Sequence, residues 1–143
     1  MKKEIKAYIE AELRNYHQSK KDLEEIKNDI REEGKLIGDS MGIRGSGTSN
    51  IVENKAIRLV TNKRIKKLEE TIRAIDVVLG ELDENKYKLV ELKYWKRPNL
   101  LTDAGIANEL NIDRATLYRW SNGILAAIAI EIGLMEDIRI SGQ

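Results

Sequence analysis

The chain has 143 residues, of which 34% are charged and 41% hydrophobic, with one Pro, no Phe and a formal net charge of +1. That length holds one or two small domains, and the composition belongs to long amphipathic helices rather than sheets. The lack of cysteine excludes disulfides and thiolate metal sites and suits a reducing cytoplasm. The single His, His17, argues against an imidazole metal site or a Ser/His/Asp triad, and neither a signal peptide nor a membrane-spanning apolar run is expected.

Residues 3–34 read as one long helix. Ile5, Ile9, Leu13, Tyr16, Leu23, Ile26 and Ile30 recur at helical spacing among charged residues, with the seam weakest at Ser19 and Lys20. His17 falls beside this seam as an ordinary helix residue, and Gly34 is the expected stop. Residues 38–50, GDSMGIRGSGTSN, read as a loop. Their GIRGSG lacks the GxxxxGK[ST] spacing of a phosphate-binding loop and follows no strand, so no nucleotide site is expected.

A second long helix is expected over 51–82, where Ile65, Leu68, Ile72, Ile75, Leu79 and Leu82 form a coiled-coil-like seam. Upstream, Val52, Ala56, Leu59 and Val60 are apolar but out of phase, which predicts a bend or a change of partner. Two such stripes must be covered. An antiparallel hairpin within the chain is the simpler arrangement, and pairing between chains is its competitor. Leu82–Lys96 forms a third helix, with Tyr87, Val90 and Tyr94 on one face, ended by Arg97-Pro98-Asn99.

Leu101–Trp120, LTDAGIANELNIDRATLYRW, has the pattern of a helix-turn-helix. Ile106, Ala107 and Leu110 share one face of a short helix that begins near Asp103, and the small Ala107 allows a second helix to cross closely. Asn111 falls where the turn needs a positive φ. Ile112 plugs the corner, and Asp113 is placed to cap the next helix. That helix is expected to bury Leu117 and Trp120 and to leave Arg114, Ala115, Tyr118, Arg119 and Asn122 outside. A DNA-reading helix offers the major groove this mix: Arg for guanine or phosphate, Asn for adenine, Ala and Tyr for packing. Corners of this kind also occur inside helical proteins that bind no DNA.

Beyond Trp120 the helix continues through Ile124, Leu125, Ile128 and Ile132 to a stop at Gly133. Its apolar residues lie on nearly all sides, so it is expected to be buried or to form an interface. With the Ile65–Leu82 seam, that surface predicts a homodimer. The expected domains are 1–82, a long-helix hairpin, and 83–135, a helix-turn-helix domain, with a frayed tail at 136–143. The fold class is all-α.

Charge is segregated along the chain. Lys55–Arg73 carries seven basic residues against Glu69 and Glu70, and Lys86–Gly123 carries seven against four acidic ones. Such segregation can build a basic face on a nearly neutral protein, although the first block alone reads more readily as a solvated helix surface. Lys93, Lys96 and Arg97, just before the motif, are candidate phosphate contacts alongside Arg119. Arg114, Tyr118 and Asn122 are candidate base contacts.

ELKYWKR, then GIANELNIDRATLYRW, then a hydrophobic helix ending in IGL, resembles the RinA/ArpU-type late-gene transcriptional activators of phages of Gram-positive bacteria. The C-terminal half is also similar to the last, promoter-reading domain of bacterial sigma factors. The order of a charged helix, a Gly/Ser-rich break, a second long helix and a terminal helix-turn-helix matches as well. The resemblance implies that Asp113–Asn122 is the DNA-reading helix, with Arg114, Tyr118 and Arg119 meeting DNA. It also implies an activator in the bacterial host cytoplasm, with double-stranded DNA as its partner and host RNA polymerase as a second one.

Two other functions fit parts of the pattern. A small terminase subunit also joins a helix-turn-helix to coiled-coil helices, but usually carries its DNA-binding domain first, and assembles as a ring. A helical interaction protein without DNA binding would show no salt-dependent affinity for any duplex. An enzyme is not expected, because no carboxylate pair or metal-ligand spacing is recognisable. No cofactor, no metal and no membrane partner are expected.

Overall fold

The computed structural model describes the backbone of residues 1–39 and 48–136, and the side chains among these that lie outside 34–54. The helices are α1 (Lys3–Arg14), α2 (Tyr16–Asp39), α3 (Thr48–Glu81), α4 (Glu84–Val90), α5 (Asp103–Glu109) and α6 (Arg114–Ile132). Glu91–Trp95 form a π turn that continues α4. No strand occurs among the described residues, so the protein is all-α.

The expected helix over 3–34 is in fact two. It breaks at Asn15, whose φ of −91° and ψ of 5° leave the helical region. Asn is a weak helix former because its side chain competes for nearby backbone groups. Nor does Gly34 stop the chain: α2 runs through it to Asp39. Of the expected loop over 38–50, positions 38–39 are helical in α2 and 48–50 in α3, which starts at Thr48. Residues 40–47, with most of the Gly/Ser run, lie outside the described residues. So do 137–143, nearly all of the expected frayed tail.

The chain forms two compact units, Met1–Tyr16 together with Arg73 onward, and His17–Ile72. In the second unit Lys27 Nζ lies 3.0 Å from a Glu69 carboxylate oxygen. Further along α2, Ile30 and Glu33 border a cleft with Ile57 and Thr61 of α3. Positions rising along α2 thus meet positions falling along α3, and the two run antiparallel. Ser19, Thr71 and Ile72 are buried. Leu59 and Val60, out of phase with the seam, are 64% and 69% exposed.

The first unit is built round α6, which is contacted by α1, α4 and α5, while the π turn touches α1 and α5. Its core includes Ile9, Leu13, Ile75, Leu89, Val90, Ile106, Leu117, Leu125 and Ile128. This explains the apolar extension of α6: helices of the same chain surround it. Ile124, Leu125, Ile128 and Ala129 are buried without a second copy. The division also falls elsewhere than the expected boundary at 82–83, because α1 and the last turns of α3 belong with the C-terminal helices. Arg73 ties these turns to the end of α6, with its guanidinium 3.6 Å from the Glu131 carboxylate.

Local chemistry sets the ends of these elements. Asp83 caps α4 by accepting from the Lys86 N–H at 2.9 Å. The π turn closes through the Lys96 N–H to the Glu91 carbonyl at 2.7 Å. Its extra residue rotates the following side chains, so that Leu92 and Tyr94 join Leu89 and Val90 inside. Tyr87, expected on the same face as Val90 and Tyr94, is instead 39% exposed. α6 ends at Gly133, whose φ is 92°. There the Leu134 N–H reaches the Ala129 carbonyl and the Gly133 N–H that of Ile130, the paired bonds of a Schellman cap.

Candidate nucleic-acid interface

α5 opens at Thr102, whose hydroxyl accepts from the Gly105 N–H at 3.1 Å. Its inner face buries Ile106, Ala107 and Leu110. The turn to α6 then requires a left-handed residue, and Asn111 supplies it with a φ of 56°. Asp113 follows as the cap of α6, its carboxylate accepting from the Thr116 N–H at 2.7 Å. Hydrogen bonds from Thr116, through its side chain and its backbone, hold the Asp113 carboxyl below the usual carboxylate range.

Leu117 is fully buried, as expected. Trp120 is not: it is only half-buried, and its ring faces the Lys86 ammonium, 5.7 Å from the ring centroid. The inner side of α6 at this level is taken by Leu117, Ser121 and Ile124, which leaves Trp120 at the rim. Ile112, expected to plug the corner, is likewise half-buried.

The outer residues of α6 are all on one face in solvent. Arg114, Ala115, Tyr118, Arg119 and Asn122 are exposed, spaced so that they share one side of the helix. Arg114 donates to the Tyr118 hydroxyl at 3.3 Å, and Tyr118 donates to the Asp103 carboxylate at 3.5 Å. The Tyr118 hydroxyl, with Asp103 beyond it, raises the Arg114 pKa above the ordinary guanidinium value, so this side chain stays cationic. Arg119 donates to the Thr116 hydroxyl at 3.0 Å.

Asp103 also joins this face to the π turn. Its other carboxylate oxygen lies 3.8 Å from Lys93 Nζ, so Lys93 and Tyr118 share one anion. Lys96 and Arg97 are exposed and line a small cleft with Lys93 rather than the α6 face itself. Sequence reasoning placed Asp103 only as a helix start and missed both of these bonds. They depend on how α5 crosses its neighbours, which residue spacing does not carry.

The geometry defines an all-helical protein with two short-linked helices that present a polar, cationic, aromatic face to solvent. The chain matches the family described as "Protein of unknown function (DUF722)" over residues 1–129 and belongs to it. No curated protein matches the chain, and no solved structure does. Among the described residues, no helix is long and apolar enough to cross a membrane.

Proposed function

We propose that α5, the turn at Asn111 and α6 form a DNA-reading helix-turn-helix. On this reading the protein is a sequence-specific regulator of transcription on double-stranded DNA, an activator of phage late genes of the RinA/ArpU type. The observation that carries the proposal is the single exposed face of Arg114, Ala115, Tyr118, Arg119 and Asn122. It stands on a helix fixed from below by Leu117 and capped by Asp113. Major-groove reading needs such a rigid helix, with donors and small packing groups outward and its N-terminal turns free.

Roles divide along that face. Arg114, near the helix start, and Asn122 offer donors to base edges, while Tyr118 packs between them. Arg119 offers a phosphate contact, and phosphate contacts fix register without reading sequence. Activation requires a second surface for RNA polymerase, which is proposed on the resemblance alone.

Competitive anisotropy on duplexes selected from a random pool tests the division. Arg114→Ala is expected to relax preference at particular base pairs by roughly tenfold. Arg119→Ala should weaken all duplexes alike and flatten the salt slope by about one unit. Equal binding by wild type and by the triple variant Arg114→Ala, Tyr118→Ala, Arg119→Ala, with an unchanged melt, would remove this helix as the reader.

A further inference from the structure

We infer that a cleft beside the π turn is a phosphate-binding site and that Arg14, on α1, is one of its ligands. The cleft has a volume of about 270 Å³ and is lined by Arg14, Lys93, Tyr94, Lys96, Arg97, Pro98 and Asn99. Four of these seven residues are cations and none is a carboxylate. Two of the cations are held by one ring. The Arg14 guanidinium carbon lies 5.5 Å from the Tyr94 centroid, and Lys93 Nζ lies 5.7 Å from it. The ring is itself fixed, since Tyr94 is buried and donates its hydroxyl to Glu10 at 3.0 Å. Burial, reinforced by the Glu10 charge, pushes the Tyr94 phenol far up, so the ring stays neutral and keeps its hydrogen bond.

The available counter-charges are weakly engaged. Arg14 meets Glu10 only at 4.0 Å, and Lys93 meets Asp103 at 3.8 Å. Cations gathered at a concave surface, with loose partners and an aromatic floor, are a pre-organised receptor for a compact dianion or a backbone phosphate. Asn99 completes the rim, its amide held by the Lys93 carbonyl at 3.3 Å. Lys93 links the cleft through Asp103 to Tyr118 on the outer face of α6. A phosphate seated here would set the register of a duplex lying on that face. The source of the phosphate, DNA backbone or free anion, is the one point that rests on the DNA-reading proposal.

The test combines two probes, a random-sequence duplex followed by anisotropy at several salt concentrations, and inorganic pyrophosphate followed by amide shifts of residues 93–99. The variants are Arg14→Gln and Lys96→Gln, with Arg58→Gln on α3 as a charge control outside the cleft, all checked by thermal melting. For a backbone phosphate, both cleft variants should lower the duplex salt slope by about one unit each while Arg58→Gln leaves it unchanged. For a free anion, pyrophosphate shifts these amides in wild type and not in Arg14→Gln, while the duplex does not bind. That result keeps the cleft and removes the DNA reading. If pyrophosphate moves nothing and the cleft variants bind duplex with the wild-type slope, the cleft is overturned and the DNA reading stands.

Discussion

Asp113 shows how much one exposed side chain can do when its position is local to a helix start. Its carboxylate form is the one that accepts from Thr116, and its folded pKa is therefore lowered. Its contribution is fully present above the unfolded carboxylate value and is lost as pH falls through the lowered folded one. Asp113→Asn should keep most of the capping bond, because Asn caps almost as well, but should remove this acid limb. Asp113→Ala should lower the melting temperature at neutral pH. Melts of the three proteins across the acid range check both statements. Ser121 makes the opposite case: its hydroxyl is buried with no partner among the described residues. A buried, unsatisfied hydroxyl destabilises, so Ser121→Ala should raise stability by on the order of 1 kcal/mol in denaturant titration.

At the scale of elements, the turn between α5 and α6 was legible because its signals are short-range. The left-handed Asn111, the Asp113 cap, the buried Ile106, Ala107, Leu110 and Leu117, and the stop at Gly133 each depend on a few neighbouring residues. Trp120 was not legible, since hydrophobic spacing shows which side a residue shares but not how deep the partner helix sits there. The break at Asn15 and the π turn at Glu91–Trp95 were invisible for a related reason. Beyond the weak helix propensity of Asn15, both are held by a distant partner: Trp95 donates to the Leu13 carbonyl at 2.9 Å and stacks on Tyr16, with centroids 5.6 Å apart. Tyr16 in turn donates to Asp76 near the end of α3. The element that supports the proposed reading face is α6, anchored by Leu117. Leu117→Ala should destabilise the unit by roughly 2–5 kcal/mol. The same melt should show that changes at Arg114 or Asn122 leave stability nearly unchanged, since both are exposed.

For the whole molecule, the consequence is that the C-terminal helices do not stand alone. A boundary at 82–83 would cut Ile9, Leu13, Ile75 and Val78 from the core they share with Leu125 and Ile128. A fragment of residues 83–143 should therefore show no cooperative thermal transition, while the full chain does. A fragment that melts as sharply as the full chain would restore the boundary read from the sequence. Burial of the α6 extension within the chain also changes the case for a homodimer. Among the described residues, α3 exposes Ile57, Leu59 and Val60 and the loop before α5 exposes Leu100, while α6 exposes Tyr118 but no large aliphatic side chain. If two copies pair, Leu59→Glu should shift the sedimentation coefficient toward the monomer, and substitutions along α6 should act on folding instead.

The measurement closest to the central proposal is selection of bound duplexes from a random pool at two salt concentrations, run with wild type and with Arg114→Ala. Wild type should enrich a defined sequence whose affinity falls steeply with salt. Arg114→Ala should lose preference at discrete positions of that sequence while melting like wild type. No enrichment and no salt-dependent affinity for any duplex, from a protein that melts cooperatively, would contradict the proposal.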